Sequence, residues 1–264
     1  MTKFQGRPCW YELTSGTPPA EAEFYGKVLG WTTQDAGQPG NDYLLAKSGD
    51  EMVAGLALSA GSEPAHWLIY FAVDDCDATV QAILKAGGEV PVDPKDIPGT
   101  GRYAIVADPQ GARFGILQPD MSQMSDAQKA KAEQTGAFDQ KKPGHGNWNE
   151  LMTSDPAAGF AFYSALFGWT KSRAVDMGAM GTYQLFAHQG TDIGAMMGLG
   201  DAPSPVWLPY FGTNGVDAAI QRITNAGGSI IDGPQEVPGG AFIAIARDPV
   251  GAHFAVVGPK EETK

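Results

Sequence analysis

Phe24-Tyr25-Gly26-Lys27-Val28-Leu29-Gly30-Trp31 returns as Phe162-Tyr163-Ser164-Ala165-Leu166-Phe167-Gly168-Trp169, 138 residues further along the chain. Trp10-Tyr11-Glu12-Leu13 returns at the same offset as Trp148-Asn149-Glu150-Leu151. From Tyr43/Tyr183 onward the offset is 140, carried by Trp67/Trp207, Tyr70-Phe71/Tyr210-Phe211, Asp108-Pro109/Asp248-Pro249 and Phe114/Phe254. A two-residue insertion accounts for the change. The period is far too long for a solenoid unit, so the chain holds two copies of one whole domain.

The repeated octet also fixes local structure. Phe24, Val28 and Leu29 fall on one helical stripe, with Thr17 as N-cap, Pro18 at the first helical position and Gly30 as the stop. Copy two repeats that punctuation with Asp155-Pro156, Phe162/Leu166 and Gly168. Working outward, Pro8–Ser15 alternates like a strand, and Tyr43–Lys47 and Met52–Ser59 pair across Ser48-Gly49-Asp50. His66–Val73 is the next strand, Asp77–Ala86 the second helix, and Arg102–Ala107 with Ala112–Gln118 a hairpin around Asp108-Pro109-Gln110-Gly111. Each copy therefore reads as β-α-β-β-β twice over. The expected domains are 1–120 and 145–260. Residues 121–144 form a linker between separately folding halves, with a short exposed helix at Ala127–Gln134 behind a Ser125/Gln128 capping box.

Composition narrows the function classes. At 264 residues, two domains of about 120 can each bury a core. A net charge of −12 argues against nucleic acid or an anionic membrane surface as partner. Cys9 and Cys76 form no disulfide framework, no stretch has the length and apolarity of a membrane helix, and residues 1–9 lack a signal-like segment. A cytoplasmic location is expected.

A β-α-β-β-β unit with FY-x-x-x-LGW closing its helix and a DPxG hairpin before its last strand resembles the vicinal oxygen chelate superfamily. That superfamily includes glyoxalase I, bleomycin-resistance proteins and extradiol dioxygenases. The resemblance implies an α+β fold in which two βαβββ units pair into one curved, cup-like mixed sheet. The helices lie outside, and this chain has two such cups. It further implies four inward metal ligands per cup, drawn from His, Gln and Glu. Family spacing places them at Trp10, Leu68, Gly115 and near Ala57, and at Trp148, Leu208, Ala255 and near Met197. None of these residues binds a divalent cation, so no metal and no cofactor are expected.

Strand alternation puts Trp10, Glu12 and Thr14 on the cup face, with Trp148, Glu150 and Met152 as counterparts. A carboxylate in an apolar, Trp-lined cup serves as general base or as a hydrogen-bonding anchor, and the alternative is a purely structural carboxylate. Glu12 and Glu150 are thus the candidate catalytic residues. Trp10, His66, Tyr70, Arg113, Trp148, Tyr210 and His253 are the candidate ligand contacts. His66 and Arg113 can neutralise an anionic ligand or pair with Glu12, and Tyr43 and Tyr183 can stack on a planar one. Phe24, Tyr25, Trp31, Phe114, Phe162, Tyr163, Trp169 and Phe254 read as core. The glycines after Ile97-Pro98 and Val237-Pro238 open no helix, which rules out a phosphate cradle; they read as a loop rim over the cup.

Two function classes stay open. One is metal-free binding of a small organic molecule in the manner of bleomycin-resistance proteins. The other is a glyoxalase-like lyase or isomerase using Glu12 or Glu150 as base. Dioxygenase chemistry needs a redox metal and is disfavoured. The protein is expected as a monomeric pseudo-dimer or a homodimer.

Overall fold

The computed structural model describes residues 4–37, 43–59, 61, 63–125, 127 and 135–262. Copy one runs β1 (Pro8–Ser15), α1 (Pro18–Leu29), β2 (Thr32–Asp35), β3 (Tyr43–Ser48) and β4 (Glu51–Leu58). It continues with β5 (His66–Ala72), α2 (Cys76–Lys85), β6 (Glu89–Ile97), β7 (Gly101–Ala107) and β8 (Arg113–Pro119). Copy two opens with β9 (Gly146–Thr153), α3 (Pro156–Phe167), β10 (Thr170–Asp176), β11 (Thr182–His188) and β12 (Thr191–Gly198). It closes with β13 (Val206–Gly212), α4 (Val216–Asn225), β14 (Ser229–Glu236), β15 (Phe242–Arg247) and β16 (His253–Gly258). The strands form two eight-stranded mixed sheets, ordered β2-β3-β4-β1-β5-β8-β7-β6 and β10-β11-β12-β9-β13-β16-β15-β14. In each, two βαβββ units stand side by side, as the repeat implied. Among the described residues no helix is long and apolar enough to cross a membrane.

The punctuation works as read. Gly30 and Gly168 close α1 and α3 in the left-handed region, with φ 74° and 72°. Asp155 caps α3 through Ala157 and Ala158, whereas the Thr17 side chain makes no such bond. At that end Ser15 Oγ instead accepts from the Thr17 amide. Four strands escaped the residue-level reading: β2, β6, β10 and β14. All four are sheet edges. β2 is exposed throughout, and β6 carries Pro91 and Pro94. Polar and proline-bearing edges discourage pairing with further chains and also erase period-2 alternation. The expected linker helix lies outside the described residues.

Backbone proximity groups the residues differently from the copies. One compact unit takes residues 4–9, 69–125 and 149–207; the other takes 10–68, 136–148 and 208–262. In the second unit α1 packs with α4, and Phe24, Tyr25, Trp31 and Trp67 meet Phe211 and Phe254. In the first, α2 packs with α3, and Phe71 and Phe114 meet Tyr163, Phe167 and Trp169. Every residue expected in the core is buried.

Each unit threads one polar relay through its aromatic cluster. Trp67 Nε1 donates to Tyr25 Oη at 2.9 Å, and Tyr25 Oη donates to Asp248 at 3.0 Å. The other unit repeats this with Trp207, Tyr163 and Asp108 at 3.1 and 3.0 Å. Asp108 also accepts the amides of Gln110 and Ala112, so the DPxG turn and the FY helix of the other copy share one carboxylate. Burial lifts both tyrosine hydroxyls well above their ordinary value, so they remain donors.

The units differ beside that carboxylate. Glu21 is buried against Asp248, and its Oε2 has no partner among the described residues. Burial pushes the Glu21 carboxyl up to about 8, and the neighbouring Asp248 adds to the shift. The counterpart of Glu21 is Gly159. There Gln110 fills the space, donating to the Asp155 carbonyl and accepting from Thr153 Oγ1 and the Asp155 amide.

Chain segments ahead of each first strand close the clusters. Trp169 Nε1 donates to the Gly6 carbonyl at 2.8 Å, and Trp31 Nε1 to the Gly144 carbonyl at 2.7 Å. Gly6 and Gly144 both have positive φ, and a Cβ on either would lie 2.5 Å from a neighbouring side chain.

Candidate functional site

The face of β1 that carries Trp10, Glu12 and Thr14 is half-buried, while Tyr11 and Leu13 point into the aromatic core. On that face Trp10 Nε1 donates to Tyr43 Oη at 2.9 Å, and Tyr43 Oη donates to Glu12 Oε2 at 2.8 Å. Strand register makes the chain possible. Glu12 lies opposite Gly55, and Thr14 and Tyr43 both lie opposite Ala57. A Cβ at Gly55 would sit 1.8 Å from the Tyr43 hydroxyl, so the phenol occupies the place of a side chain there. A side chain at 55 would therefore force the Tyr43 phenol out of its present place.

Copy two builds the same bond from Tyr183 Oη to Glu150 Oε2 at 2.8 Å, with Glu150 buried. Its face is fuller. Ala195 stands opposite Glu150 and Met197 opposite Met152, where copy one has Gly55, Ala57 and Thr14.

The structure brings the candidate residue Trp10 together with Glu12 through Tyr43. Beyond stacking or lining the core or rim, the roles their sequence allows, Tyr43 and Tyr183 are hydroxyl donors to the two glutamates. Their shared offset and their register opposite a small or flexible β4/β12 position were the available signal. Tyr70 is buried, with its ring over Gly115 of the neighbouring β8, where an added Cβ would meet the ring at 2.1 Å. Tyr210 is buried opposite Ala255. Trp148 is half-buried on β9. His66 Nδ1 lies 2.9 Å from the Pro64 carbonyl, at the start of β5. Arg113 and His253 open β8 and β16 with exposed side chains.

The metal positions implied by family spacing do not fit a divalent ion. Trp10, Leu68, Trp148, Leu208 and Ala255 offer no ligating oxygen, nitrogen lone pair or thiolate. At Gly115 the Tyr70 ring already fills the place a ligand side chain would take. Among the described residues there is also no group of three or more His, Cys, Asp or Glu suited to a metal.

Comparison with known proteins agrees with this architecture. The chain is 33% identical to the anthracycline biosynthesis protein DnrV of Streptomyces peucetius, over 99% of this chain and 96% of that protein. Its fold matches the crystal structure of the 2,3-dioxygenase LapB from Pseudomonas sp. KL28 with a TM-score of 0.67 at 14% identity, covering 99% of this chain and 95% of that one. It also matches the Mn(II)-bound glyoxalase from Novosphingobium aromaticivorans with a TM-score of 0.63 at 18% identity, covering 99% and 84%. The model of the Glyoxalase/Bleomycin resistance protein/Dioxygenase superfamily matches residues 9–116 and 142–256, one match per copy. The chain belongs to that superfamily, as a tandem member.

Proposed function

We propose that the protein binds a small organic molecule on its Glu-Tyr-Trp faces without a metal, in the manner of bleomycin-resistance proteins, in the cytoplasm. The observation that carries this reading is the Trp10–Tyr43–Glu12 chain, laid on a strand position that carries metal ligands in metal-dependent relatives. The indole holds the phenol and the phenol holds the carboxylate in one orientation, and a fixed carboxylate with aromatic surroundings recognises a flat ligand bearing an O–H or N–H donor. A relative whose name ties it to anthracycline biosynthesis supports an aromatic organic ligand.

The second reading is a metal-independent, glyoxalase-like lyase or isomerase. What favours it is the pairing of Glu12 with a phenol, a base beside a proton donor at 2.8 Å. Forgoing a Lewis acid costs such a reaction several kcal/mol of charge stabilisation, which places binding first.

The test is titration of metal-stripped protein with 1,8-dihydroxyanthraquinone, read by tryptophan quenching and by thermal shift. Glu12→Gln and Tyr43→Phe should weaken binding about 10-fold or more, the scale of a charge-assisted hydrogen bond. Turnover of an α-oxoaldehyde–thiol hemithioacetal in the presence of chelator, abolished by Glu12→Gln or Glu150→Gln, would put the enzymatic reading in its place. Binding restored only by added Mn(II), Ni(II) or Zn(II) would overturn both.

A further inference from the structure

We propose that the two faces have separated in role, with the flat ring-bearing ligand taken by the β1-β4-β3 face of copy one. Thr14, Gly55 and Ala57 there are the specificity-determining residues. This deepens the binding reading and rests on it.

The observation is a difference in side-chain volume at matched register. In copy one the ladder sets Glu12 opposite Gly55, Thr14 opposite Ala57 and Tyr43 opposite Ala57. In copy two the same places hold Glu150 opposite Ala195 and Met152 opposite Met197. Residues in register on paired strands share a face and stand about 5 Å apart, so each trio forms one continuous floor. In copy one that floor is a threonine, a glycine and an alanine. The Tyr43 phenol lies down into the gap above Gly55. In copy two a methyl group stands at Ala195, and two four-atom thioether chains stand side by side, both half-buried.

Both faces keep the anchor. Tyr43–Glu12 and Tyr183–Glu150 have the same 2.8 Å length. What distinguishes the copies is the room beside it. A rigid fused ring needs room next to the carboxylate that receives its hydroxyl, and in copy one the short side chains of Thr14 and Ala57 stand there, with the Tyr43 phenol over Gly55. Flexible methionines fill the corresponding width in copy two. The copy-two hairpin adds further thioethers at its tip, since Met177 and Met180 are exposed between β10 and β11. Copy one therefore selects by shape and by a hydrogen bond to Glu12, and copy two presents a soft apolar surface that a planar ring enters only by moving methionines aside.

The experiment exchanges the floors in the full chain, with 1,8-dihydroxyanthraquinone as probe. Wild type should bind one equivalent. Thr14→Met with Ala57→Met should weaken that event at least 10-fold without lowering the melting temperature by more than a few degrees. Met152→Thr with Met197→Ala should leave it intact and add a second equivalent. If the copy-one exchange changes nothing while the copy-two exchange or Glu150→Gln abolishes binding, the assignment is overturned and the binding reading stands. Two equal sites in wild type also overturn it. If no exchange and neither glutamate variant alters the titration, or the probe does not bind, both readings fall.

Discussion

Replacing Glu21 by Gln should make the protein more stable above neutral pH and leave it nearly unchanged near pH 5. Glu21 is buried beside Asp248 with Oε2 unpartnered, and burial followed by the neighbouring carboxylate raises its folded-state value from 4.5 to about 8. A carboxyl raised on folding stays protonated in the native state while the unfolded chain ionises. Its contribution is thus fully present below about 4.5 and lost as pH rises toward 8. At 1.36 kcal/mol per pH unit, the loss between 4.5 and 7 is at most about 3 kcal/mol. Gln keeps the shape, does not ionise, and donates an N–H to Asp248, whose own value burial also raises. The difference in melting temperature between variant and wild type should therefore grow from near zero at pH 5 to about 6–12 °C at pH 7, on the usual scale of 2–4 °C per kcal/mol, and further toward pH 8. Differential scanning calorimetry in matched buffers at half-unit steps reads this directly. A difference that stays flat across that range, or a variant less stable at pH 8, would refute the account of Glu21 as a carboxyl kept protonated by burial beside Asp248.

Three further outcomes follow from the packing. Tyr25→Phe and Tyr163→Phe should each cost about 1–3 kcal/mol in denaturant titrations, because each strands a buried tryptophan N–H and an aspartate oxygen; matched losses would mirror the matched relays. Gly55→Ala should displace the Tyr43 phenol from its place over residue 55 and lower probe affinity about 10-fold, with a melting shift well below that of the tyrosine variants. Deleting residues 1–6 removes the Gly6 acceptor of Trp169, and the spectroscopic signature is a red-shifted, more quenchable tryptophan emission; an unchanged spectrum would mean that the segment closes nothing.

How much of this was legible depended on what each position asks of its residue. Gly30, Gly168, Asp155 and the DPxG turns carry backbone constraints that only a few residue types satisfy, so they announced themselves twice. β2, β6, β10 and β14 ask only for a chain that pairs on one side. Their polar sequences, with prolines in β6 and β14, therefore looked like loop. The glutamates and Trp10 were readable because alternation on β1 puts them on one face. Tyr43 as a donor was not, since its hydroxyl reaches Glu12 across Gly55, a residue from another strand whose relevance appears only once register is known. The Gly6/Gly144 closure was hidden for a similar reason: a single glycine shared at the right offset is no motif until the indole that reaches it is in place.

Each aromatic cluster takes rings from both copies, so neither copy owns a complete interior. The covalent join between the copies then fixes the local concentration of one half around its counterpart. With the chain intact, assembly is unimolecular and indifferent to dilution. With the copies supplied as separate chains, the same contacts would have to form between two molecules, and their persistence would follow mass action, rising and falling with protein concentration as in a heterodimer.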